Sequence, residues 1–130
     1  MSASSYDFHF DEATSVLLIS IDGFWTSDVA RSFKISLLTE VMRHVRRAPV
    51  YRTLLDQTTF GVQSVETTEI LNSAFEAARK FHKGRVAIVA GSVLSKLQVE
   101  RNIADPNVRV FTDRSHAETW LRSDESSGTN

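Results

Sequence analysis

Arg85 to Ala90 reads Arg-Val-Ala-Ile-Val-Ala, with Gly84 before it and Gly91 after it. Its apolar residues are consecutive, and Val86, Ile88 and Val89 are β-branched. A run this short, bounded by glycines and without a polar face, reads as a buried strand. Its flanks read as helices. Upstream, Ser64 is a candidate N-cap, Glu66 sits in the first turn, and Ile70, Ala74, Ala77, Ala78 and Phe81 share one face. His82-Lys83 and Gly84 look like the end of that helix. Downstream, Gly91-Ser92 opens a short helix from about Val93 to Ile103, which Pro106 ends.

The same alternation extends in both directions. Val108 to Phe111 is a last strand. Thr112 or Asp113 caps a final helix with apolar contacts at Ala117, Trp120 and Leu121. Towards the N-terminus, Val50 to Leu55 reads as a strand and Asp56 to Gly61 as the loop after it. Val29, Phe33, Leu37 and Val41, with Leu38, Met42 and Val45 beside them, mark an amphipathic helix capped by Thr26, Ser27 or Asp28 and ending before Pro49. Ser15 to Asp22 (SVLLISID) is a second buried strand. Tyr6, Phe8 and Phe10 alternate with Asp7 and His9, so a strand with an aromatic face precedes it. The short turn Asp11 to Thr14 makes these two strands an antiparallel hairpin. The element order β-β-α-β-α-β-α-β-α predicts an α/β fold with a mixed, mostly parallel sheet. Residues 1–122 are expected to form one domain, and the polar stretch 123–130 a disordered tail.

Composition excludes several classes. A chain of 130 residues with 42% apolar content can build a core. Formal net charge is -1, against the basic excess of a nucleic-acid binder. The absence of cysteine removes disulfides, thiolate metal sites and a thiol nucleophile, and fits a cytoplasmic location. The N-terminus has no basic region followed by an apolar one, so it is not read as a secretory signal. Apolar runs fall far short of the roughly 20 residues that span a bilayer. His9, His44, His82 and His116 lie on different elements without metal-ligand spacing, and no nucleophile elbow or phosphate-binding glycine loop occurs. Catalysis, a metal and a cofactor are therefore not expected.

These patterns resemble STAS domains, the anti-sigma-factor-antagonist fold, and most closely the bacterial SpoIIAA-like (STAS/SEC14-type) proteins. The resemblance rests on the opening hairpin into SVLLISIDGFWT, on GRVAIVAG, and on the closing VRVFTDRSHAETWL, and covers about residues 6–122. It implies action by protein–protein contact, gated by phosphorylation of a Ser or Thr just after the third strand. Asp56-Gln57-Thr58-Thr59-Phe60-Gly61 occupies that place, so Thr58 and Thr59 are the candidate acceptors. The glycine is displaced by an extra residue relative to the family's Asp-Ser-Ser-Gly-Leu, and the SpoIIAA-like subgroup generally lacks that motif. Likeness to CRAL-TRIO domains implies an apolar ligand or a membrane surface instead.

The candidate site follows from the fold. Open α/β sheets bind ligands at the carboxyl ends of their strands, where free N–H groups of helix N-termini gather. Here that edge holds Asp22, Gly23, Phe24 and Trp25, then Asp56, Thr58, Thr59 and Phe60, then Gly91 and Ser92, with Thr112-Asp113 beyond. Ser92 and Asp113 read individually as helix caps, and Phe24-Trp25 as either an aromatic anchor or a lid on the core. Arg43, His44, Arg46, Arg47 and Arg52 form a basic cluster, read first as a solvated helix end. The leading expectation is a non-catalytic interaction or regulatory module with a protein partner. The alternative is a binder of a small apolar or lipid-like ligand, in a pocket between helices and sheet, with peripheral membrane contact. A homodimer is also compatible with aromatic strands at a sheet edge.

Overall fold

A computed structural model describes residues 4–47, 51–101 and 103–123. The elements run β1 (Ser4–Asp11), β2 (Val16–Gly23), α1 (Ser27–Arg47), β3 (Arg52–Phe60), α2 (Val65–Phe81), β4 (Val86–Ala90), α3 (Val93–Glu100), β5 (Val108–Phe111) and α4 (Arg114–Arg122). The strands form one sheet in the order β1-β2-β3-β4-β5. β1 pairs antiparallel with β2, and β2 through β5 pair in parallel. The expected mixed, mostly parallel sheet is thus observed.

Chain order in the sheet decides where the helices go. Crossovers of one hand, each stepping to the next strand on the same side, place their helices on the same face. α1, α2 and α3 accordingly cover the face made by Tyr6, Phe8 and Phe10, by Leu17, Ile19 and Ile21, and by Leu55, Ile88, Ala90 and Val110. α4 is followed by no strand and lies across the other face, where Ala117 and Leu121 pack on Leu54, Ala87 and Val89. β4 is therefore covered on both sides, which is why Arg85 to Ala90 shows no polar face.

The larger core is aromatic. Phe33 of α1 stacks on Phe8 with centroids 5.6 Å apart and meets Tyr6 edge-on at 5.3 Å. Phe75 of α2 closes on Phe33 at 6.0 Å. The Tyr6 hydroxyl reaches Ser32 Oγ at 2.6 Å, giving its polar end a partner on α1. Helix starts are capped as the side chains suggest. Thr26, Ser64, Ser92 and Asp113 each accept a backbone N–H from the first turn that follows.

Three boundaries differ from the sequence reading. The stretch Asp56 to Phe60 is not a loop: β3 runs on through it, and Val50, its expected first residue, lies outside the described residues. Thr58, Thr59 and Phe60 are good strand formers, and a register shift between Ser20 and Asp22 lets β2 follow them, with Asp22 opposite Thr59 and Gly23 opposite Phe60. α3 ends at Glu100, short of Ile103. α2 ends with His82 as C-cap, so Gly84 is not its stop. Gly84 answers a different need: a Cβ there would lie 2.1 Å from the Tyr51 carbonyl oxygen. Of the expected tail, 123–130, Ser123 is instead the C-cap of α4, and 124–130 lie outside the described residues. Among the described residues no helix is long and apolar enough to cross a membrane.

Candidate functional site

Parallel pairing of β2 to β5 brings their carboxyl ends to one rim, and the predicted residues assemble there with unequal fates. Gly23 has φ 85°, a conformation open to glycine, and there the chain turns off the sheet. The two aromatics that follow then separate. Trp25 is 5% exposed and Phe24 is 68% exposed. Trp25 packs edge-on against Tyr6 and Phe60 and donates its Nε1–H to the Asp22 carbonyl at 2.9 Å. It is floor, not anchor, and Phe60 is partly buried beside it. Phe24 is left outside, its ring over Gly61.

Gln63, which the sequence reading passed over, ties the first two loops together. Its Oε1 accepts the Trp25 N–H at 2.8 Å, and its Nε2 donates to the carbonyls of Gly23 at 2.9 Å and Gly61 at 2.6 Å. The Gly61 N–H also donates to the Gly23 carbonyl. A glutamine in a loop carries no periodic signal, so only the fold reveals this role.

On β3 the Asp56 carboxylate accepts both the N–H and the hydroxyl of Thr58, at 3.0 and 2.7 Å. Its other oxygen faces Arg114 of α4 at 3.4 Å. Asp22 accepts a hydrogen bond from Ser5 of β1. Thr58 and Thr59 are exposed on the strand. Gly91 is required where the chain leaves β4, because a Cβ would stand 2.4 Å from the Thr58 carbonyl oxygen. Ser92 caps α3, as its bland reading had it.

The feature that stands out is apolar. Phe24, Val62, Val65, Val93, Leu94 and Leu97 are exposed large hydrophobic side chains. All but Leu97 come from the turns after β2, β3 and β4 or from the first turns of α2 and α3, at the carboxyl rim, and Leu97 lies one turn further along α3, whereas Ile35, Met42 and Phe81 are exposed elsewhere on α1 and α2. Val62 reaches 85% exposure and Leu94 66%. α3 has no buried residue among Val93–Glu100. Only Phe24 was singled out from sequence, because apolar spacing marks a helix face without telling whether this chain covers it.

The opposite, amino end of the sheet is closed. His82 is buried, stacks on Tyr51 at 4.0 Å, and donates Nε2–H to the Tyr51 carbonyl at 2.7 Å. A carbonyl only accepts, so the proton resides on Nε2. Arg79 reaches the carbonyls of His82 and Gly84 and pairs with Asp105 at 2.7 Å. Burial, with Arg79 beside it, holds His82 below its ordinary pKa. Burial pushes the Tyr51 phenol up to about 12, and its hydroxyl has no hydrogen-bond partner among the described residues. The basic cluster expected nearby is not uniformly solvated: His44 is buried, stacked on Phe10 at 4.2 Å, and linked to Glu40 at 3.0 Å.

No group of His, Asp and Glu side chains suited to a metal ion occurs among the described residues. Two open clefts are present, one of about 500 Å³ beside Ile103 and Val108, the other of about 740 Å³ along Leu38, Met42 and Arg46 of α1. The first lies at the edge between α3 and β5, where Glu100 and Val110 line it, while the aromatic rings of Trp25, Phe33 and Phe75 fill the space beneath α1 and α2.

The chain is similar to a solved structure of an uncharacterised protein of the DUF3478 family with a SpoIIAA-like fold, from Shewanella loihica PV-4. Identity is 18%, the TM-score is 0.64, and the match covers 93% of this chain and 97% of that one. The fold is thus SpoIIAA-like, as the element order and motifs suggested. No family model matches the chain. No curated protein matches it either.

Proposed function

We propose that this chain is a non-catalytic interaction module, working in a bacterial cytoplasm, whose carboxyl rim docks a protein partner. The observation that carries the reading is the group of large apolar side chains, from Phe24 to Leu94, left in water at that rim. Large apolar side chains gathered in water at one end of a fold support an interaction site, because each forgoes about 1.5–3 kcal/mol of burial. The rim is also rigid. Gln63 staples two loops, Trp25 fills the space beneath, and Gly91 packs against β3, so little ordering remains to be done on binding. A small apolar ligand would need an interior pocket, and the rings of Trp25, Phe33 and Phe75 occupy that space.

Thr58 and Thr59 lie beside this surface and are the hydroxyls through which it would be regulated. A phosphoryl group on Thr58 would replace the bond to Asp56 with repulsion and draw on Arg114 as the nearest cation. Thr58→Glu is therefore expected to alter partner binding and Thr58→Ala to preserve it.

Photo-crosslinking in the native cell tests the docking surface. A benzophenone side chain at Leu94 is expected to capture one protein in high yield, whereas the same group at Thr119 on α4 captures none. Equal yields from both positions overturn the reading. Lipid adducts in place of protein, or a lipid retained in native mass spectrometry, support the apolar-ligand alternative instead.

A further inference from the structure

The apolar rim has a charged border, and the border specifies the partner. Asp22 precedes Phe24, Asp28 lies in the first turn of α1, and Glu66 and Glu69 lie in the first turns of α2. Arg31, Lys96 and Arg114 stand among them, and all three are engaged, Arg114 with Asp56 at 3.4 Å and Glu118 at 3.1 Å. Arg31 pairs with Asp28 at 3.0 Å and with Glu66 at 3.4 Å, and Lys96 pairs with Glu100 at 2.8 Å. The basic residues collect at the far end instead, where α1 and α2 finish and β3 and β4 begin, as Arg43, Arg46, Arg52, Lys80, Lys83 and Arg85. A chain of formal charge -1 is thus divided into an acidic, apolar rim and a basic opposite end.

We propose that the occupant of the rim is a cationic amphipathic segment of a protein partner, with apolar side chains against Phe24, Val62, Val65 and Leu94 and Lys or Arg towards Asp28, Glu66 and Glu69. The inference rests on the rim being the docking surface and adds the chemistry of what docks. Opposite charge around an apolar centre steers encounter and rejects wrong partners. An anionic bilayer is one of those. Pressing the apolar side chains into it would bring these carboxylates against headgroups of the same sign. The N-termini of α1, α2 and α3 also meet at this rim, and Asp28 and Glu66 in the first turns of α1 and α2 offset two of the three positive dipole ends.

The test uses the full chain and a designed helical peptide with Leu at i, i+3, i+4 and i+7 and Lys elsewhere, its Glu counterpart, and phosphatidylglycerol vesicles. The Lys peptide is expected to bind at least about tenfold more tightly than the Glu peptide, and chain and vesicles not to co-sediment. Binding should shift the amide resonances of residues 24, 62 and 94 and leave those of 43 and 83 unmoved. Phe24→Ser with Leu94→Ser should weaken it about tenfold without changing charge. Asp28→Asn, Glu66→Gln and Glu69→Gln together should abolish the preference for Lys over Glu and flatten the salt dependence. Equal affinity for both peptides, shifts at the basic end, binding to the vesicles, or head-to-tail self-association seen by light scattering would each overturn the proposal. Crosslinking at Leu94 keeps the two readings apart. A captured protein whose crosslinked segment is acidic defeats the charge inference alone, while no capture defeats the docking surface itself.

Discussion

The two ends of the sheet are built on opposite plans. At the amino end the chain buries polar and aromatic groups together: His82 lies flat on Tyr51, Arg79 holds the carbonyls of His82 and Gly84, and Asp105 closes the ion pair. At the carboxyl end it buries Trp25 and leaves Phe24, Val62 and Leu94 in water. Similar loops join similar elements at both ends, so topology alone does not account for the contrast. One end packs its polar and aromatic groups on one another, with Phe81 half exposed at the end of α2, and the other leaves several large apolar side chains bare.

Substitutions can break this contrast or sharpen it. The largest effect is expected from Trp25→Ala, which removes the floor of the rim and should cost about 3–5 kcal/mol in urea unfolding. Gly84→Ala puts a methyl group against the Tyr51 carbonyl and should cost about 1–3 kcal/mol, unless the close approach relaxes. If both prove mild, the closed end and the floor are less tightly packed than described.

The closed end should also respond to pH. His82 is held below its ordinary pKa in the folded chain, so the unfolded chain binds a proton first as pH falls through about 6.5. Stability is then lost on acidification from neutral pH down to the lowered folded value, by at most about 1.4 kcal/mol per pH unit from this group. Chemical denaturation at pH 7.5 and 5.5 should show that slope in the native chain and a shallower one in His82→Gln. Equal slopes would remove His82 as the cause.

Smaller effects carry more information. Tyr51→Phe deletes a buried hydroxyl without a partner among the described residues and should raise stability by about 1 kcal/mol, read as a higher midpoint at unchanged m-value. Phe24→Ser and Leu94→Ser should leave stability within about 0.5 kcal/mol, because these side chains are already exposed. A large loss at either would mean that the rim belongs to the core.

Much of this fold is legible before any coordinates. Arg85 to Ala90 has no polar face because α4 covers one side of it and the larger core the other. Tyr6, Phe8 and Phe10 alternate with polar residues because only one face of β1 meets a helix. The misreading of Asp56 to Phe60 as a loop has a definite source. Its polar side chains lie where β3 outlasts its pairing with β4, which stops at Gln57 opposite Ala90. Backbone bonds to β2, not side-chain burial, keep it extended, and such bonds leave no hydropathy pattern. The candidate site was legible as a place rather than as a surface. Phe24 and Trp25 are neighbours of equal promise in the sequence, and only the turn at Gly23 sends one inward and the other out. Val93, Leu94 and Leu97 satisfy helical spacing, yet nothing local tells a covered apolar stripe from a bare one.

Because the strands lie in the sheet in the order in which they leave the ribosome, each new strand finds its neighbour already made, and most pairing is short-range. The second face is different. Leu54, Ala87 and Val89 stay wet until Ala117 and Leu121 emerge, after all five strands. The chain is thus vulnerable to aggregation until α4 is made, and a nonsense codon anywhere after Phe111 and before α4 would leave a nearly complete sheet with one side bare.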